Sequence, residues 1–106
     1  MNDEQMTINE VLNDGSKIYF YKEGYTGTWI TYGYSAYLLA HFADVKCLES
    51  YSVHMQMPCV TLSETEFKKL LMANRDSFTA EDSCYLMSVD TPVDDAQYQI
   101  WVQGLR

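Results

Sequence analysis

Apolar and polar positions along the chain follow two periods, and each period marks its own kind of element. Ile8, Val11 and Leu12 recur at the i, i+3, i+4 spacing of one helix face, so residues 7–14 are predicted as a short helix. Thr7 and Glu10 form the T-x-x-E capping box, and Gly15 offers a left-handed close. Residues 17–23 (KIYFYKE) and 28–32 (TWITY) are dense in β-branched and aromatic side chains and read as two strands. Gly24, Thr26 and Gly27 between them supply turn chemistry, which predicts a hairpin, and Gly33 ends it. A helix opening at Tyr34 or Ser35 runs to Ala43 with Leu38, Leu39 and Phe42 on one face. Residues 51–57 alternate strictly. Tyr51, Val53, Met55 and Met57 point one way and Ser52, His54 and Gln56 the other, a half-buried strand that Pro58 closes. Ser63 and Glu66 form a second capping box before Phe67, Leu70 and Leu71, predicting a helix to Ala73. Residues 74–82 are polar and read as loop, and residues 83–89 as a strand. Thr91 and Pro92 fit the N-cap and first residue of a last helix, 92–103, burying Tyr98, Trp101 and Val102 and stopping at Gly104.

The element order α-β-β-α-β-α-β-α belongs to an α/β (α+β) domain. Strands separated by helices favour parallel pairing through right-handed crossovers, and the hairpin adds one antiparallel pair. The expected architecture is a mixed sheet of about four strands with an N-terminal β-hairpin, flanked by helices. With 106 residues and no linker, the chain reads as one domain. Residues 1–16 form an acidic segment with a short helix, and residues 17–104 form the α/β body.

Charge refines the picture. Seven Lys and Arg stand against fifteen Asp and Glu, a formal net charge of −8. Residues 1–16 carry four acids and no base, residues 17–75 five acids and six bases, and residues 76–106 six acids and one base. The middle is nearly neutral and the ends are acidic. A strongly basic nucleic-acid binder is excluded, because phosphate contacts need a surplus of Lys and Arg. The apolar fraction of 47% argues against disorder over most of the chain. The longest apolar run, Ala36 to Ala40, is far short of the roughly 20 residues that span a bilayer. The acidic start lacks the positive and apolar regions of an export signal. The chain is therefore expected in the cytoplasm, with Cys47, Cys59 and Cys84 reduced and no membrane contact.

Chemistry-bearing patterns are sparse. There is no G-x-S-x-G elbow, and Gly24-Tyr25-Thr26-Gly27 lacks the G-K-[ST] ending of a phosphate loop. His41, Cys47, His54 and Cys59 lack the paired spacing of a structural zinc site. The carboxylate pairs Glu64/Glu66 and Asp94/Asp95 fall where a helix start favours negative charge. No catalytic residue, metal or cofactor is expected. Tyrosine is the compositional oddity: seven of nine lie between Tyr19 and Tyr51. Ile18 and Phe20 face one side of the first strand, Tyr19 and Tyr21 the other. Either both faces are covered or one meets a partner, a role that suits a side chain with apolar area and one polar tip. Tyr25 and Trp29 are expected at the hairpin tip, and with Lys22 and Tyr32 they are the candidate partner-binding residues.

Lys17 to Met72 resembles the N-terminal mismatch-recognition domain of the DNA mismatch repair protein MutS. Ile18 to Gly24 is similar to that domain's first strand and its glycine, and Trp29 to Tyr32 to its second strand. Ser35-Ala36 is similar to the start of its helix, Met57-Pro58 to its Ile-Pro, and Phe67 to Leu71 to the following helix. Tyr85 to Val89 matches a further strand. The family's Phe-x-Glu is missing: one register places Thr26 and Thr28 there, the other Thr28 and Ile30. The resemblance implies the domain's shape without its mismatch reader. The expected function is a non-catalytic, protein-interaction or regulatory module, docking or self-associating through the tyrosine-rich hairpin. The alternative is a DNA-associated module with Lys17, Lys22, Lys68, Lys69 and Arg75 near phosphates, which the net charge disfavours. A third reading has the acidic ends mimic DNA for a basic partner.

Overall fold

A computed structural model describes residues 2–23, 27–81 and 84–106. Helix α1 spans Asp3–Val11, strands β1 and β2 Lys17–Glu23 and Thr28–Tyr32, and helix α2 Gly33–Phe42. Strands β3 and β4 are Leu48–Ser52 and Met57–Ser63, followed by helix α3, Glu64–Ala73. A 3₁₀ turn at Arg75–Ser77 leads into β5 (Phe78–Ala80), β6 (Cys84–Ser88) and helix α4 (Asp95–Leu105).

The six strands form one sheet in the order β3-β4-β2-β1-β6-β5, and every neighbouring pair is antiparallel. The expected mixed sheet of about four strands is corrected on both counts. Following strand directions across the sheet, β2 and β3 run parallel, as do β4 and β5. The helical crossovers α2 and α3 therefore join parallel strands, as crossover geometry favours, but those strands never become neighbours. Strand β4 sits between the first pair, and β2, β1 and β6 between the second. After the N-terminal helix the chain is three hairpin-plus-helix units in a row.

Two strands were not foreseen. The alternating segment 51–57 is not one strand. Ser52 Oγ accepts a hydrogen bond from the Met55 N–H at 3.1 Å and Gln56 takes φ +56°, so the chain reverses there. Pro58 continues β4 instead of ending it. It lies one residue beyond the β2–β4 register, which stops at Cys59, so its missing N–H costs no bond to β2. Strand β5 falls in the supposed loop 74–82, pairing Phe78 with Met87. The last helix starts later than expected, with Asp94 Oδ1 capping the N–H groups of Ala96 and Gln97. The third helix starts where the capping box places it, Ser63 Oγ accepting from Glu66 N–H at 3.1 Å.

Helices α2 and α3 cover one sheet face. Ile18, Phe20, Trp29, Val60, Leu62 and Met87 project from the strands toward Leu38 and Leu39 of α2 and Phe67 and Leu70 of α3. Phe20 meets Phe67 edge-on at 5.3 Å, and Trp29 stacks on Phe67 at 4.0 Å. Helix α4 closes the same face beside β3 and β4, with Val102 buried and Trp101 Nε1 donating to Glu49 at 2.6 Å. Phe42, expected on the buried face of α2, is exposed.

Helix α1 is the largest departure. It begins at Asp3 under an Asn2 cap, with Asn2 Oδ1 accepting from Gln5 N–H at 2.8 Å, so Thr7 caps nothing. The stripe of Ile8, Val11 and Leu12 points outward, Val11 and Leu12 each 76% exposed, and Glu10 and Asn13 are buried instead. Strand β2 passes into α2 after Tyr32 and its register with β1 covers only Tyr21 to Glu23. The β1 backbone before Tyr21 therefore lacks a strand on that side. Buried backbone groups must be paired, and polar side chains supply the partners. Ser35 Oγ accepts from Tyr19 N–H at 2.9 Å, and Asn13 Nδ2 donates to the Lys17 carbonyl at 2.9 Å.

Candidate interaction surface

Strand alternation and register assign the other sheet face. One cross-strand row reads Leu48, Thr61, Ile30, Tyr21, Cys84, crossing five strands. Tyr32 opposite Cys59 and Tyr19 opposite Leu86 lie in neighbouring rows. Tyr19, Ile30, Tyr32, Thr61 and Leu86 are half-buried and Leu48 is exposed, while Tyr21, Cys59 and Cys84 are buried. Among the described strand residues on this face only Lys17 and Glu23 carry charge, at opposite ends of β1. Helix α1 reaches only one end of the face, where Asn9 Nδ2 donates to the Tyr21 hydroxyl at 3.0 Å. The result is an open sheet face of tyrosine, aliphatic and hydroxyl side chains on a chain of net charge −8. Burial holds the phenols of Tyr19, Tyr21 and Tyr32 above the usual tyrosine range, so all three stay neutral donors.

The four residues singled out from the sequence do not form one site. Tyr32 lies on the open face, its ring 6.2 Å from that of Tyr21. Trp29 and Lys22 lie on the helix-covered face. The Trp29 indole is 7% exposed, and its Nε1 donates to Glu64 at 3.0 Å. Its ring is taken up by the core, not offered at a hairpin tip. Lys22 Nζ sits 5.8 Å above that ring and 3.9 Å from Glu64. Tyr25 lies outside the described residues. Of the basic residues considered for phosphate contact, Lys68 and Lys69 pair with Glu64 and Glu66 on their own helix at 3.9 and 3.5 Å.

The sequence reading missed the polar seam beneath α1. Tyr32 is the N-cap of α2 but makes no side-chain capping bond. Glu10 provides that cap from outside, its Oε1 accepting from the Ser35 N–H at 3.1 Å and its Oε2 from the Ser35 hydroxyl at 2.7 Å. Asn13 Nδ2 lies 3.3 Å from Glu10 Oε1 and 3.2 Å from Ser35 Oγ. Gly33 makes this approach possible. It has φ +57°, and a Cβ there would stand 3.3 Å from Glu10 side-chain atoms. Burial drives the Glu10 carboxyl up from 4.5 to about 7, and the bonds from Ser35 and Asn13 work against that rise without cancelling it. A signal for this seam exists in the sequence: Asn9, Glu10 and Asn13 form a polar stripe opposite Ile8, Val11 and Leu12. Periodicity does not say which of two stripes faces in.

Two other features carry less. A cleft of about 430 Å³ opens between the end of α2, α3 and β6, with Ile18, Leu38, Leu70 and Met87 as its floor. Lys69 at its rim is already paired with Glu66. The histidines and cysteines noted in the sequence are dispersed. His41 Nδ1 lies 2.9 Å from the Tyr37 carbonyl, His54 pairs with Asp3, and all three cysteines are free. Among the described residues no helix is long and apolar enough to cross a membrane. Comparison with known proteins gives no significant match to any family model, curated protein or solved structure.

Proposed function

We propose that this protein is a non-catalytic protein-binding module that engages its partner through the open sheet face. The observation that carries the reading is the cross-strand row from Leu48 through Thr61 to Ile30, open or half-open to solvent and without a charge, which ends at the buried Tyr21. Interface cores are depleted in charge and enriched in tyrosine, and a helix layer on one side leaves the sheet's other side to be covered by something else. The net charge of −8 favours a partner with an apolar centre and a basic periphery. The resemblance of residues 17–72 to the mismatch-recognition domain belongs to this proposal as an account of ancestry, not of DNA reading. The burial of Trp29 and the ion pairs of Lys68 and Lys69 leave DNA binding the weaker alternative.

Site-specific photo-crosslinking in the native cell tests the reading. A crosslinker at Ile30 or Leu86 is expected to trap a defined protein, or a second copy of this chain, and one at Lys68 on the helix layer is not. Capture from Lys68 equal to that from Ile30, or capture from none of the three, overturns it. Light scattering then tells self-association from a foreign partner.

A further inference from the structure

We propose that helix α1 is a proton-sensitive cover over the Tyr21 and Tyr32 end of the open face, seated while Glu10 is neutral and loosened when Glu10 is ionised. The inference rests on the preceding reading for what the cover regulates, and on the geometry of α1 for how it moves.

The geometry is unusual for a surface helix. Side chains that normally hold such a helix down, Ile8, Val11 and Leu12, face solvent. What holds α1 is polar: Asn9 to Tyr21, Glu10 and Asn13 to Ser35, Asn13 to the Lys17 carbonyl, and Asp3 to His54. Releasing α1 thus uncovers little aliphatic surface of its own, while it frees the hydroxyl of Tyr21 and the neighbourhood of Tyr32, whose phenol feels the charge of Asp3.

The groups facing Glu10 come from four elements. Asn13, in the turn after its own helix, and the N–H and hydroxyl of Ser35 on α2 contact Glu10 directly, and the phenols of Tyr19 and Tyr21 on β1 and of Tyr98 on α4 lie within reach of its charge. The three phenols are kept neutral by burial, and each is pushed further up by the Glu10 charge. No cation contributes to the shift of Glu10. A buried carboxylate with neutral neighbours is costly to ionise in place, whereas the released helix presents the same carboxyl to water. The docked form therefore holds the proton more tightly, from 4.5 in the free group to about 7 when seated. The docked-to-released ratio is then greatest below the lower value and falls as pH rises through the upper one. The drop is about 70-fold between pH 5 and pH 8, towards a limit of about 300-fold.

Hydrogen exchange of the α1 amides in the intact chain, corrected for the intrinsic pH dependence of exchange, is the direct test. Protection of α1 relative to β4 is expected to fall by about 70-fold from pH 5 to pH 8. Glu10→Gln is expected to abolish that dependence. Unchanged α1 protection across this range, or a Glu10→Gln protein that keeps the full response, overturns the proposal. Should Glu10→Gln fail to fold, the ¹³C carboxyl titration of Glu10 in the unsubstituted protein decides: a midpoint near 7 supports the cover, and an ordinary carboxylate midpoint overturns it. Exchange needs no partner, so its failure and a failure of crosslinking from Ile30 are read separately.

Discussion

Ser35→Ala removes one hydroxyl from a fully buried position and tests whether the seam beneath α1 holds the fold together. That hydroxyl accepts from Tyr19 N–H and Asn13 Nδ2 and donates to Glu10 Oε2. Alanine fits the space, so the loss is polar. The Tyr19 amide loses its partner, at a cost of roughly 1–3 kcal/mol, and the bond to an ionised carboxylate contributes roughly 1.5–3 kcal/mol more. Asn13 keeps the Lys17 carbonyl and Glu10. The second contribution depends on pH, because it is present only while Glu10 is charged. With Glu10 at about 7, Ser35→Ala is expected to cost about 1–3 kcal/mol at pH 5 and about 2.5–6 kcal/mol at pH 8. The unsubstituted protein also loses stability in this window. Its folded state binds the Glu10 proton more tightly than the unfolded chain, so stability is highest below 4.5 and falls as pH passes 7, by about 2.5 kcal/mol between pH 5 and pH 8. Urea unfolding of both proteins at the two pH values, read by tryptophan fluorescence, measures all four quantities. A Ser35→Ala cost under about 0.5 kcal/mol, the range of ordinary surface changes, or a cost identical at pH 5 and pH 8, would refute the account of the seam.

Gly33→Ala is expected to cost more than about 1 kcal/mol in the same assay, because alanine at φ +57° is strained and its Cβ crowds Glu10; a neutral substitution would mean the α1–α2 contact is looser than described. Trp29→Ala should cost about 3–5 kcal/mol through loss of the stack on Phe67, and a well-folded variant that lost only partner binding would show that Trp29 acts at the surface instead. Ile30→Lys should leave stability within about 1 kcal/mol, since the side chain is half-exposed, yet abolish capture of the partner; retention of capture would move the interface elsewhere.

Much of the fold was legible along the chain because its signals are local. The Ser63–Glu66 box starts α3 through bonds within one turn, and the aromatic density of residues 17–23 and 28–32 makes two strands whatever they pair with. The alternation at residues 51–57 fits a strand, but a local bond from Met55 N–H to Ser52 Oγ closes a turn there instead. Of the candidate surface, the sequence pointed to two-sidedness in β1, with Ile18 and Phe20 opposed to Tyr19 and Tyr21. It could not say that Trp29 falls with the first pair and Tyr32 with the second, because that parity follows from the pairing register.

The linear chain determined the four helices, the strands β1, β2 and β6, the acidity of both ends and the opposition of apolar and polar stripes, each a property of neighbours within a few residues. Tertiary structure alone decided that every strand pairing is antiparallel and that α1 turns its polar stripe inward. Both depend on which backbone groups are left without partners once distant segments meet. Strand β2 leaves the sheet early, the exposed edge of β1 needs donors and acceptors, and so Glu10, Asn13 and Ser35 occupy a place that periodicity had reserved for Ile8, Val11 and Leu12.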